Sequence, residues 1–227
     1  MCEECGCGDH RIVSLDVQAK LLGSNDAQAR HNREHFSEAG VVAINLMGSP
    51  GAGKTAVLEA TAAAIGNRYA LGAVSGDLAT DNDGERLRKA GIPSTTITTG
   101  SACHLDARLV HDELHNVPWR ETDFFFIENV GNLVCPAIYD LGQNANVVVL
   151  SVTEGEDKPL KYPVMFRVAD LVLITKMDLL EHLPQMSIET LEENVRRTMP
   201  GAKTIRMAAA TGLGVREWVE WLEARRG

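Results

Sequence analysis

Long apolar runs are missing from this chain. None approaches the ~18 to 20 residues that span a bilayer, and the N-terminus is acidic and cysteine-bearing, without a basic start and an apolar core. A membrane or secreted product is disfavoured and a cytoplasmic one expected. Positive charge is also in deficit: 22 Lys and Arg face 31 Asp and Glu, a net charge of −9, the wrong sign for gripping nucleic acid or an anionic lipid surface. Proline is scarce (8 residues), yet hydrophobic residues reach 44% and charged ones 23%, so neither a collagen-like nor a wholly disordered chain fits. The 227 residues allow one substantial core with appendages. Only five cysteines occur, and Cys2, Cys5 and Cys7 crowd the first seven residues. Such a set cannot staple a large fold, and in a reducing compartment it points to metal rather than disulfides.

Residues 1–10 (MCEECGCGDH) offer a core almost nothing and are expected to form a flexible, Cys-rich metal-binding tail. In 11–39, Val13, Val17, Leu21 and Leu22 fall at helical spacing, which predicts an accessory helical segment with a break at Gly23. From 40 to 227, short apolar runs (VVAINLMG, ALGAVSGD, STTITTG, FFFIENV, NVVVLSV, LVLITK, KTIRMAAA) alternate with helix-periodic stretches. That alternation predicts an α/β, doubly wound, mainly parallel sheet with helices on both faces and ligands at the carboxyl ends of its strands. Trp218, Trp221 and Leu222 are expected to pack a last amphipathic helix, not to stack on a ligand.

The run Gly48-Ser-Pro-Gly51-Ala-Gly53-Lys54-Thr55 follows a strand and opens a helix, the full context of a P-loop. Its glycines turn backbone N–H groups toward phosphate. Lys54 would neutralise the β and γ phosphates and the Thr55 hydroxyl would ligate Mg²⁺. Asp77 and Glu128 close two strands and are candidates for holding Mg²⁺ or the hydrolytic water, each competing with a plain helix-capping role. Gly131 is a candidate hinge sensing the γ-phosphate. Thr175-Lys176-Met177-Asp178 resembles the [NT]-K-x-D motif of GTPases, in which the Asp178 carboxylate accepts from guanine N1–H and its exocyclic amine; adenine lacks that donor pair. Ala208-Ala209-Ala210-Thr211-Gly212 resembles the last GTPase motif, with the Ala209 N–H meeting the guanine carbonyl.

Cys2, Cys5 and Cys7 form C-x-x-C-x-C, three thiolates within reach of one ion; with the initiator Met removed, the Cys2 amine completes a donor set that suits Ni(II), while zinc also favours thiolates. Cys103-His104 and Cys135 lie beside the nucleotide motifs, and neighbouring helix residues do not share a face. A metal there would need a frayed helix start or two subunits. His31 and His35, and likewise His111 and His115, have i, i+4 spacing that could clamp a metal, but solvated helix faces are the simpler account.

Together MCxxCGC, GSPGAGKT, SGD, ENVGNLVCP, SVTEGEDKPLKYP and TKMD resemble the HypB family of hydrogenase nickel-incorporation GTPases over nearly the whole chain. The resemblance implies a SIMIBI-type P-loop G domain. It implies GTP hydrolysis to GDP, with Mg²⁺, and Ni²⁺ bound at Cys2, Cys5 and Cys7. A second nickel or zinc site would fall on Cys103, His104 and Cys135, at the interface of a homodimer formed with GTP. Lys158 would contact nucleotide across that dimer. The implied partners are a HypA-type nickel metallochaperone and the [NiFe] hydrogenase large-subunit precursor. The histidine-rich storage stretch of many relatives is absent; only His10, His31 and His35 precede the P-loop. A urease-type accessory GTPase and a non-catalytic thiol metal buffer are the competing readings.

Overall fold

The computed structural model describes residues 9–77, 79–100, 104–201 and 203–226, with the side chains of 9–21 excepted. Cys2, Cys5, Cys7, His10 and Cys103 therefore lie outside the described residues or side chains, and so do the expectations placed on them.

Helix α1 (Asp9–Glu38) precedes seven strands: β1 (Val42–Met47), β2 (Leu71–Asp77), β3 (Ser94–Thr98), β4 (Phe124–Glu128), β5 (Ala145–Ser151), β6 (Leu171–Thr175) and β7 (Thr204–Arg206). The helices between and after them are α2 (Lys54–Ile65), α3 (Asn82–Lys89), α4 (Ala107–Leu114), the short α5 (Lys158–Lys161) and α6 (Pro163–Arg167), α7 (Ile188–Thr198) and α8 (Val215–Glu223). The sheet is parallel throughout, in the order β3-β2-β4-β1-β5-β6-β7. The expected strands are all present.

The strand sequences read as unbroken apolar runs because both sheet faces are covered. Ile44, Leu46, Phe124, Phe126, Val147 and Val149 point to one side, where Val57, Leu58, Leu87, Trp218 and Leu222 of α2, α3 and α8 meet them. Their neighbours Ala43, Phe125 and Ile127 turn to the other side, against Phe36 of α1 and Val110 and Leu114 of α4. Trp218 is fully buried and its indole N–H donates to Thr61 Oγ1 at 2.8 Å, so the C-terminal tryptophans are core, as expected.

The helix α1 runs without interruption through Gly23, contrary to the expected break. A single glycine costs a helix only about 1 kcal/mol, and the second half of α1 recovers more by docking. Ala29, Asn32 and Phe36 are buried. Asn25 accepts from the Ala107 N–H at 2.9 Å and donates to the Asp140 carbonyl at 2.8 Å. Arg33 meets both Asp140 carboxylate oxygens at 2.7 and 2.8 Å. These bonds tie α1 to the start of α4 and to the loop after β4.

Parallel register gathers the carboxyl ends of β1, β2 and β4. Leu46 and Ser75 both align with Glu128, so Asp77 and Gly48 project from the same edge.

Candidate functional site

The loop from β1 to α2 wraps an anion-sized space. Gly53 caps α2 in the left-handed conformation (φ 99°) with no side-chain cap, and the first turn carries no acidic residue. The first-turn N–H groups are thus left to a ligand, at the helix end where partial positive charge favours phosphate. Gly48 is fixed by close approach: with φ 153°, a Cβ there would collide with the Val149 carbonyl oxygen of the adjoining strand. Lys54 is buried, its Nζ 3.4 Å from the Gly48 and Ser49 carbonyls, and burial pushes its pKa down against the attraction of Glu128, Asp83 and Glu154.

Thr55, Asp83 and Glu128 form a compact cluster. The Thr55 hydroxyl lies 2.8 Å from Asp83 Oδ1 and 2.8 Å from Glu128 Oε1. One hydroxyl proton cannot serve two ionised carboxylates, so the geometry calls for a further proton or a cation. Burial pushes the Glu128 carboxyl up to about 7, with Lys54 and the Thr55 hydrogen bond pulling the other way. Its Oε2 is buried with no hydrogen-bond partner among the described residues. An orphaned carboxylate oxygen beside a P-loop hydroxyl and a second carboxylate fits Mg²⁺, a hard cation that takes oxygen ligands. Asp77 lines the same cleft of about 360 Å³, and its carboxylate accepts from the Ala79 N–H at 3.1 Å and the Thr80 hydroxyl at 2.8 Å. Gly131 packs so tightly on Pro50 that a Cβ could not fit, and Gly48 bridges to Asn132, which places the loop after β4 directly against the P-loop.

At the far end of the sheet, the Thr175 hydroxyl donates to the Ala52 carbonyl at 2.6 Å, lashing the end of β6 to the P-loop. Lys176 follows with φ 58°, alone among described non-glycine residues in the left-handed region. Backbone held there commonly serves a site, and here it turns Asp178 outward, exposed, in the turn Met177–His182. Nearby, Met207 N–H bonds Ile174 O, while Ala208, Thr211 and Gly212 N–H groups bond within their loop, leaving the Ala209 N–H outside that bonding. Lys158 sits apart from the cleft, 4.0 Å from Glu154 Oε2 and 5.2 Å from the Tyr162 ring centre.

Residues 42–206 match the CobW/HypB/UreG nucleotide-binding domain. The hydrogenase maturation factor HypB of Azotobacter vinelandii is 46% identical over 213 residues, 94% of this chain and 70% of that protein. The chain belongs to the HypB family. Two solved structures agree: HypB from Archaeoglobus fulgidus superposes with a TM-score of 0.84 at 42% identity, covering 91% of this chain and 100% of that one. HypB from Helicobacter pylori in complex with nickel gives 0.84 at 38%, covering 89% and 95%. As a HypB-family hydrogenase maturation factor, the chain carries a P-loop NTPase domain, and no helix among its described residues is long and apolar enough to cross a membrane.

Of the second-site cysteines and histidine expected in this HypB chain, His104 and Cys135 are described. His104 lies in the loop before α4, not within the helix, and its ring stacks on Tyr139 at 3.9 Å. Burial lowers its pKa, opposed by Asp106. Cys135 opens the turn Cys135–Ala137, half-buried, four residues before Tyr139. The stack thus brings the two loops face to face.

Three residues at this cleft escaped the sequence reading. Asp83 and Arg86 enter the cleft from α3, with Arg86 held by both Glu59 oxygens at 3.0 and 2.6 Å. Asn129 is buried beside Glu128; its Oδ1 accepts from Val130 N–H at 3.0 Å and Leu105 N–H at 3.3 Å, and its Nδ2 donates to Asn45 at 3.2 Å. The acidic run Thr-Asp-Asn-Asp after β2 was the available signal for Asp83. A mid-strand Asn45 amid apolar neighbours was the signal for the buried amide chain.

Proposed function

We propose that this chain is a GTPase that delivers Ni(II) during maturation of the [NiFe] hydrogenase large subunit, with hydrolysis gating transfer. Gly48, Gly51 and Gly53 present backbone N–H groups to the GTP phosphates, and Lys54 neutralises the charge developing between the β and γ phosphates. Thr55, Glu128 and Asp83 would hold Mg²⁺, and Asp77, on the wall of the same cleft, would orient the attacking water. Held by these side chains, Mg²⁺ would supply positive charge against the negative charge that develops in the transition state. Thr175 positions the base motif, Lys176 flanks the guanine, Asp178 reads its N1–H and amine, and the Ala209 N–H reads its carbonyl. GDP is the product.

The observation that carries the gating is Asn129. It follows Glu128, adjoins the Val130-Gly131 segment on the P-loop, and bonds the N–H of Leu105, next to His104. A shift of that segment on loss of the γ-phosphate would be passed by one buried amide to the loop of Cys103 and His104, changing a nickel or zinc site that includes Cys135. Exposed Val134 (46%) and Ile138 (50%) flank Cys135 and support a homodimer contact there when GTP is bound. Cys2, Cys5 and Cys7 take up nickel, Lys158 reaches nucleotide across the dimer, and a HypA-type metallochaperone and the large-subunit precursor are the partners, in the cytoplasm.

Ni(II) transfer from the loaded chain to a chelator, followed with GTP and with a non-hydrolysable analogue, tests this reading. Faster transfer on hydrolysis, lost in Lys54→Ala and weakened in Asn129→Ala with GTP binding kept, is expected. Equal transfer with GTP, the analogue and Lys54→Ala would leave a metal buffer instead.

A further inference from the structure

His31 and His115 are exposed as expected, but the packing of α1 on α4 makes the two histidine faces neighbours. On α1 the buried stripe Asn25, Ala29, Asn32 and Phe36 faces the domain. His31 and His35 each precede a member of that stripe and so flank it. On α4, Val110 and Leu114 are buried and His111 follows Val110 in the same way. The two flanks meet. Ring centres lie 4.1 Å apart for His31 and His35, 5.2 Å for His31 and His111, and 5.6 Å for His35 and His111. One ring nitrogen from each lies within 4.8 Å of the other two.

From this juxtaposition we propose that His31, His35 and His111 form a binding site for a divalent zinc- or nickel-type cation, which fastens α1 to α4 independently of the cysteines. Three neutral imidazoles suit borderline ions and not Mg²⁺ or Ca²⁺, which take oxygen. Zinc bonds of about 2.0 to 2.1 Å place tetrahedral donors roughly 3.3 Å apart, so side-chain rotation of about 1.5 Å closes the set. His31 is exposed and leaves a solvent path for the ion.

The surroundings prepare one ligand. Asn32 is fully buried, and its Nδ2 donates to both the Ala107 carbonyl at 2.8 Å and the Leu141 carbonyl at 3.1 Å. Both amide protons are spent, so its Oδ1 must accept. Gln28 Nε2 donates to it at 3.1 Å, and His111 Nδ1 lies 3.2 Å away. The His111 proton therefore belongs on Nδ1, and Nε2 keeps its lone pair. A ligand histidine whose other nitrogen donates to an oxygen acceptor is oriented and made more basic by it. His35 is backed by Trp119, whose ring lies parallel at 6.1 Å. His115 meets His111 edge-on with ring centres 5.8 Å apart and lies outside the three-nitrogen set, so the fourth position falls to water.

Zn(II) added to the reduced full chain, followed by long-range ¹H–¹⁵N spectra of the imidazoles, tests the site. The expected result is that His31, His35 and His111 signals shift together, with the first equivalent of zinc when Cys2, Cys5, Cys7, Cys103 and Cys135 are all replaced by Ser, and in the native chain with the equivalent taken up after the thiolate sites fill. Should that variant fail to fold, His35→Gln in the native chain serves: zinc stoichiometry should fall by one equivalent and the His31 and His111 shifts should vanish. Three imidazoles that stay unmoved while zinc saturates the chain, or a stoichiometry indifferent to His35→Gln, would overturn the proposal.

Discussion

Replacing Glu128 by Gln should change how stability depends on pH more than it changes stability itself. In the metal-free, nucleotide-free protein the carboxyl is buried, with one oxygen on Thr55 and the other without a hydrogen-bond partner. Its pKa stands at about 7 against an ordinary 4.5. A raised carboxyl pKa means that the folded state holds the proton more tightly than the unfolded chain. The contribution is fully present below about 4.5 and is lost as pH rises through about 7. The span corresponds to roughly 3 kcal/mol between the two limits. Glu128→Gln cannot ionise, so the stability difference between native protein and variant should move by about 1 to 3 kcal/mol in favour of the variant from pH 5.5 to 8. Taking this difference between pH values cancels the fixed cost of the buried amide. Urea unfolding in EDTA at several pH values measures it. Mg²⁺ with GDP should flatten the native profile, since a ligand carboxylate must be ionised, and binding near pH 6.5 should release a proton. A difference constant to within about 0.5 kcal/mol across that range would refute the assignment of Glu128 as a proton-holding, cation-ready group.

Asp178→Asn offers guanine one acceptor and one donor in place of two acceptors; it should weaken GTP binding by about 1.5 to 3 kcal/mol and favour xanthosine triphosphate, as competition with a labelled nucleotide would show. Thr175→Val removes the donor to the Ala52 carbonyl and leaves that buried acceptor unpaired, costing about 1 to 3 kcal/mol in thermal or urea unfolding, with GTP affinity falling alongside. Gly48→Ala drives a Cβ into the Val149 carbonyl; a loss of about 2 to 4 kcal/mol is expected, with nucleotide binding lost in calorimetry even where the variant remains folded.

The seven strands and the P-loop were legible because their signals are local. A strand buried on both faces reads as a continuous apolar run, and a phosphate loop needs its glycines, lysine and hydroxyl at fixed spacing. The TKMD run stands out in the sequence for the same reason, and the structure adds that the Thr175 hydroxyl is committed to the P-loop carbonyl. The helical character of α1 was visible too, but its continuity through Gly23 was not, because the compensation comes from Asn25, Asn32 and Arg33 bonding the start of α4 and the loop after β4, more than 70 residues away.

What sequence alone determined was the class of the protein: parallel α/β architecture, a guanine-type P-loop domain, and membership of the HypB family, all carried by contiguous motifs. Tertiary structure decided which isolated polar residues act together. Asp83 and Glu128 share the Thr55 hydroxyl although 45 residues separate them, Asn129 links the cleft to the His104 loop, and His31 and His35 meet His111 across a helix pair. Single carboxylates, amides and imidazoles carry no periodicity of their own. Their chemistry is set by burial and by neighbours that only the packing of helices on the sheet brings within hydrogen-bonding distance.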